Sequence, residues 1–246
     1  MIKTSIHIAD AFVFYIYYEI IFMKKILFAS LVIFSLSGFM LQKKHKVIFF
    51  GDSITELGVK PGGYVTRVDS MCKLEGKAGQ FDFVGAGIGG NKVYDLYLRL
   101  EDDVLSKNPD VVVVYVGVND VWHKTLLGKG TDADKFEKFY LVILKKLKEK
   151  NIKAILCTPA VIGEKNDFSN PLDGDINRYS NIIRDIAKKN NLPVIDLRKI
   201  FLNYIKKNNP DNEEKNILTY DGVHLNAKGN QVVADAMWKA VKEILN

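Results

Sequence analysis

Ser53, Asp221 and His224 are a hydroxyl, a carboxylate and an imidazole that together suit nucleophilic catalysis. Ser53 stands in Gly51-Asp52-Ser53-Ile54-Thr55, directly after the apolar run Val47-Ile48-Phe49-Phe50. His224 stands in Asp221-Gly222-Val223-His224-Leu225, with a carboxylate three residues upstream. A serine hydroxyl becomes a useful nucleophile when a base takes its proton, and an imidazole suits that task near neutral pH. Asp221 can accept from the other ring nitrogen and fix the tautomer. Gly117-Val118-Asn119-Asp120 follows another apolar run and offers a side-chain amide to an oxyanion. A nucleophile, a base, an orienting carboxylate and an oxyanion donor are the parts of a serine hydrolase.

Each part also has an ordinary local use. Gly51-Asp52-Ser53 suits a turn and helix N-cap, an Asn after a strand suits a turn, and a His before a helix suits a surface cap. His123 is the rival base, because His7 and His45 lie in or just after the N-terminal leader. Gly87-Ile88-Gly89-Gly90 can expose backbone N–H groups, yet it lacks both Gly-x-Gly-x-x-Gly and Walker-type spacing. Gly51-Asp52-Ser53 is not the Gly-x-Ser-x-Gly nucleophile elbow either.

The chain around these residues alternates between strand and helix patterns. Strands are expected at 47–50, 81–84, 111–116, 153–158 and 193–197. Helices are expected at 64–74, 92–106, 132–150, 175–190, 198–207 and 226–245, the last capped by Asn226. Val111-Val112-Val113-Val114-Tyr115-Val116 is apolar on both faces, as a central parallel strand must be. Five strands separated by helices imply a parallel α/β sheet covered on both sides, with its site outside the carboxyl ends of the strands. Ser53, Gly87 to Gly90 and Gly117 to Asp120 all follow strands at that edge.

Gly51-Asp52-Ser53, the glycine block, Gly117-x-Asn119-Asp120 and Asp221-x-x-His224 together resemble the four blocks of the SGNH, or GDSL, hydrolases, in order, across nearly all of residues 46–240. The resemblance implies a three-layer α/β/α sandwich with a five-stranded parallel, flavodoxin-like sheet. It implies Ser53 as nucleophile, His224 as base, Asp221 as its orienter, and no metal or organic cofactor. It implies an oxyanion hole of the Ser53 N–H, the Gly90 N–H and the Asn119 side chain, with Asp52 and Asp120 structural. The second block departs from the family pattern: Gly85 stands where an Asn is usual. Gly90 is preferred to Gly89 because the Gly-x-x-Gly spacing falls on Gly87 and Gly90.

Met23-Lys24-Lys25 followed by the apolar stretch Ile26 to Leu41 has the layout of a secretory signal peptide. Uncleaved, it would be an N-terminal anchor. No cysteine lies near its end, which excludes lipid modification there. Residues 1–22 read as an upstream mis-start, with translation beginning at Met23, or as an extension. Residues 42–246 then form a single hydrolase domain. The net charge of +6 comes from interspersed charges, with lysines on helix faces and no interleaved aromatics, which argues against nucleic-acid binding. The cysteines, Cys72 and Cys157, lack metal-site spacing; export would allow a disulfide between them, and two buried free thiols is the preferred reading.

The expected activity is that of an exported serine esterase acting on short, acetyl-type esters of a carbohydrate or small alcohol. No long insertion supplies a lid over an acyl tunnel. Trp122 and Tyr64, with Phe168, are candidate substrate contacts. Lysophospholipid hydrolysis, acyl transfer by the same serine, or a non-catalytic ligand-binding domain are the alternatives. A membrane is a partner only if the leader stays attached.

Overall fold

The computed structural model describes residues 15, 17–28 and 44–245. The chain divides into two units, Met1–Lys43 and Lys44–Asn246. In the first, residues 17–28 are helical; the rest of the expected leader, 29–41, lies outside the described residues. No helix among the described residues is long and apolar enough to cross a membrane.

The second unit is a five-stranded parallel sheet in the order β2-β1-β3-β4-β5. The strands are β1 (His45–Gly51), β2 (Phe81–Gly87), β3 (Val111–Tyr115), β4 (Lys153–Cys157) and β5 (Val194–Ile195). Every residue of β3 is buried, as its unbroken run of β-branched side chains requires. Each such side chain contributes about 1.5–3 kcal/mol by leaving water.

Alternation along β1 separates the two layers. Val47 and Phe49 face a core with Val68 of α2 (Tyr64–Leu74), Phe201 of α8 (Leu197–Asn208) and Trp238 of α9 (Ala227–Leu245). Ile48 and Phe50 face the other core. There they meet Leu96 of α3 (Val93–Leu98), Phe136 and Tyr140 of α6 (Ala133–Glu149) and Ile183 of α7 (Asp173–Asn190). Helix α6 buries Phe136, Tyr140, Ile143, Leu144 and Leu147 at helical spacing, with Asp134 in its first turn and Lys146 and Lys148 in its last.

The order 2-1-3 makes a switch point between β1 and β3, where an open α/β sheet forms its crevice. The register levels the three strand ends: Gly51 pairs with Gly87 on one side and Tyr115 on the other. Everything that follows these positions emerges at one edge.

The sequence reading needs correction at several elements. Strand β2 runs on through Gly85, Ala86 and Gly87, so the glycine block opens inside the strand. A Cβ on Gly87 would sit 2.1 Å from the backbone nitrogen of Glu56, in α1 (Ser53–Gly58), so the helix can approach β2 only over a glycine. Gly117–Asp120 is not a turn but opens helix α5 (Val118–Leu127), with Gly117 at φ 132° as its N-cap. The expected helix 92–106 breaks at Arg99 into α3, α4 (Leu100–Asp103) and a 3-10 turn at Leu105–Lys107. Finally, β5 is only two residues long.

Candidate active site

Asp52 and Ser53 mark the start of α1 beyond β1. Asp52 is the N-cap, its Oδ1 accepting from the Ile54 N–H at 3.0 Å. Ser53 is thus the first helical residue, held at the mouth of the crevice.

Asp221 and His224 come from the loop before α9. Thr219 and Leu225 form an antiparallel bridge, and the Tyr220 N–H donates to the His224 carbonyl at 2.9 Å. Inside this small loop, Asp221 Oδ1 accepts the backbone N–H groups of Val223 at 2.9 Å and His224 at 2.7 Å. Its Oδ2 lies 2.7 Å from His224 Nδ1. The other ring nitrogen, Nε2, lies 2.9 Å from Ser53 Oγ. With the proton on Nδ1 donated to Asp221, Nε2 is the acceptor for the serine hydroxyl. Burial pushes the Asp221 carboxyl up, but the hydrogen bonds from the His224 ring and the two backbone N–H groups outweigh it and lower its pKa. Asp221 therefore stays an anion.

The imidazole is fixed by rings as well. Tyr220 stacks on it at 5.8 Å and 16°, and Trp122 meets it edge-on at 6.4 Å. Asn226 Oδ1 accepts from the Lys228 and Gly229 N–H groups, both at 2.9 Å, and caps the helix that begins after the loop.

Sequence reasoning missed Glu164. Its buried carboxylate accepts from the N–H groups of Ile217, Leu218 and Thr219 at 2.8, 2.7 and 2.9 Å. The chain also ties Gly163 N–H to the Gly222 carbonyl at 2.8 Å. Glu164 thereby anchors the segment leading into the histidine loop. A single Glu within a loop carries no local signal of that role.

Asn119 is 2% exposed, and its side-chain amide donates to the Asn91 carbonyl at 3.1 Å. Gly90 precedes Asn91 and holds φ at +74°, a left-handed conformation suited to glycine. Gly89 does not require that region; a Cβ there would meet Glu56 Oε2 at 3.0 Å. Asp120 is fully buried and accepts from the Val93 N–H at 3.2 Å. Burial raises the carboxyls of Asp52 and Asp120 to about 7, and the Asp120 charge is part of the rise at Asp52.

Trp122 lines a cleft of about 480 Å³ with Thr125, Ile162, Asn170, Glu214 and Asp221. Tyr64 does not join it. That residue is fully buried, its hydroxyl paired with Thr55 Oγ1 at 2.9 Å and its ring packed on Phe49 and Tyr115, so it belongs to the core and cannot touch substrate. Phe168 projects into solvent at 93% exposure. His123 lies near Gly90, where burial and then the nearby Lys92 charge lower its pKa. Cys72 and Cys157 are free and buried. Among the described residues, no group of three or more His, Cys, Asp or Glu side chains could hold a metal ion.

The chain is similar to known proteins over most of its length. The model of the GDSL-like lipase/acylhydrolase family matches residues 49–232. A solved acetyl xylan esterase, AlAXEase, is 65% identical with a TM-score of 0.79, covering 80% of this chain and 99% of its own. An acetylxylan esterase of Geobacillus stearothermophilus is 29% identical over 80% of this chain and 94% of its own length. Solved variants of the Geobacillus stearothermophilus acetylxylan esterase Axe2, described as catalytic mutants, replace a serine, a histidine and an aspartate by alanine. That aspartate stands three positions before that histidine, the spacing of Asp221 and His224. An uncharacterized lipoprotein of Bacillus subtilis is 24% identical over 87% of this chain and 97% of its own length.

Proposed function

The chain belongs to the GDSL-like lipase/acylhydrolase family, and from that premise we propose that it removes acetyl groups from xylan or its oligosaccharides through an acyl-enzyme on Ser53. Its activity is that of a carboxylic-ester hydrolase. The observation that carries the reading is the unbroken line from Ser53 Oγ through His224 to Asp221, at 2.9 and 2.7 Å. The acetyl xylan esterase at 65% identity supports the substrate class.

Ser53 Oγ attacks the acetyl carbonyl carbon while His224 Nε2 takes the hydroxyl proton. The carbonyl oxygen gains the electron pair and is held by the Ser53 N–H, the Gly90 N–H and the Asn119 amide. Collapse breaks the bond to the sugar oxygen, which receives the proton from His224. Water then gives its proton to His224 and attacks the acetyl-serine. Breaking the Ser53 ester bond releases acetate and returns the proton to Ser53. Asp221 keeps the imidazole in the required tautomer throughout. Trp122 and the cleft it lines accept the carbohydrate.

Acetate release from acetylated xylo-oligosaccharides, set against model esters of increasing acyl length, tests this directly. Fast release from the oligosaccharides and a rate that falls beyond short acyl groups support it. Preference for long-chain esters or lysophospholipids, or transfer to an alcohol acceptor exceeding hydrolysis, overturns it. Residues 23–41 direct the enzyme out of the cytoplasm. The N-terminus of the mature protein from its host should lie near Gly38, and an intact leader on cytoplasmic protein contradicts export.

A further inference from the structure

Arg99 sits where the expected helix 92–106 breaks. Its backbone, at φ −103° and ψ 8°, ends α3 and starts α4. A helical arginine can satisfy itself with a carboxylate one turn on, and Asp103 is there at 2.6 Å. The other contacts go elsewhere. Nη2 donates to the Gly51 carbonyl at 2.6 Å and the Ala86 carbonyl at 3.1 Å. Nη1 also reaches the Ala86 carbonyl, at 3.1 Å, and Nε donates to Asn91 Oδ1 at 2.7 Å. The five donors of the guanidinium are thereby engaged. The group lies 4.6 Å from the centre of the Phe50 ring and its side chain is only 14% exposed.

These partners share a property. Gly51 is the last residue of β1 and leads through Asp52 to Ser53. Ala86 leads to the loop containing Gly90. Asn91 follows Gly90, and its carbonyl receives the Asn119 amide at 3.1 Å. One rigid, planar cation therefore joins the segments that present the Ser53 N–H, the Gly90 N–H and the Asn119 side chain. Lysine cannot reproduce that fork. Taking a guanidinium out of water onto backbone carbonyls is costly, and a residue serving only the helix has no need of it.

We propose that Arg99 is a positioning residue that sets the geometry of the oxyanion hole by clamping the Gly51 and Ala86 carbonyls and the Asn91 side chain. This rests on the assignment of Ser53, Gly90 and Asn119 as oxyanion donors. Arg99 touches no substrate. Its effect falls on the transition state, where donors must meet a charge that the ground state lacks.

The test uses the full chain with Arg99→Ala and Arg99→Lys, reading kcat, KM and the thermal midpoint on an acetyl ester, with and without added ethylguanidinium. In Arg99→Ala, kcat should fall on the order of 10²-fold, the scale of one lost oxyanion donor, while KM stays within about twofold. Millimolar ethylguanidinium should restore part of kcat in Arg99→Ala and none in Asn119→Ala. Wild-type kcat in a folded Arg99→Ala variant overturns the proposal, as does a loss that follows only the unfolded fraction and resists rescue. Should Arg99→Ala not fold, Arg99→Lys decides: a lowered kcat at constant KM supports the clamp, and an unchanged kcat refutes it. Wild-type protein that neither hydrolyses esters nor labels at Ser53 with a fluorophosphonate contradicts the reading of the site itself, a failure distinct from that of Arg99.

Discussion

Asp221 holds His224 twice: Oδ1 accepts its backbone N–H and Oδ2 faces its ring Nδ1, both at 2.7 Å. One carboxylate thus shapes the loop and aims the ring that the loop carries. Asp221→Asn keeps the size but offers an amide N–H where Nδ1 needs an acceptor. The imidazole then favours the wrong tautomer, and kcat should fall roughly 10³–10⁴-fold with little change in thermal midpoint. Near-wild-type turnover would remove Asp221 from the mechanism.

Ser53→Ala should abolish acetate release and fluorophosphonate labelling, because the covalent step needs the hydroxyl. The cap of α1 comes from Asp52, not Ser53, so the variant should fold with an unchanged circular dichroism spectrum. Labelling at a different serine would contradict the assignment.

Asn119→Ala should lower kcat by about 10²–10³ while KM hardly moves. A rise in KM alone would make Asn119 a ground-state contact with substrate.

Burial raises Asp120 to about 7 in the folded chain, against an ordinary carboxyl near 3.8. The native state therefore holds a proton that the unfolded chain gives up, and this contribution is lost as pH rises from about 4 through about 7. Asp120→Asn removes the titration and keeps an oxygen acceptor for the Val93 N–H. Relative to wild type, the variant should gain stability as pH rises across that window and show a constant difference above it. Denaturant midpoints measured at pH 4 to 8 check this; a difference independent of pH would contradict it.

Glu164→Gln should loosen the segment before the histidine loop. A glutamine amide cannot accept from the Ile217, Leu218 and Thr219 N–H groups together, and leaving a buried donor unpaired costs about 1–3 kcal/mol. Kinetics and thermal unfolding should show kcat and stability falling together. An unchanged midpoint would show that the loop stands without this anchor.

The amino-acid order alone determined the alternation of strand and helix, the central β3 and the edge at which Ser53, the glycine block and Asn119 emerge. These follow from local periodicity: a strand or helix announces its buried face every two or every three to four residues. The pairing of Asp221 with His224 was equally local, since a three-residue spacing lets one carboxylate reach both the backbone and the ring. The remaining features depend on partners far apart in sequence. Ser53 and His224 are 171 residues apart, and no local pattern brings Nε2 to within 2.9 Å of Oγ. Tyr64 has the chemistry of a sugar contact, yet its hydroxyl pairs with Thr55 under β1. Arg99 stands inside the expected helix 92–106, yet its guanidinium binds the carbonyls of Gly51 and Ala86 at the break. Glu164 looks like any loop carboxylate until three N–H groups more than fifty residues away converge on it. Propensity acts within a turn of chain, whereas a buried polar group must find its partners wherever the fold delivers them.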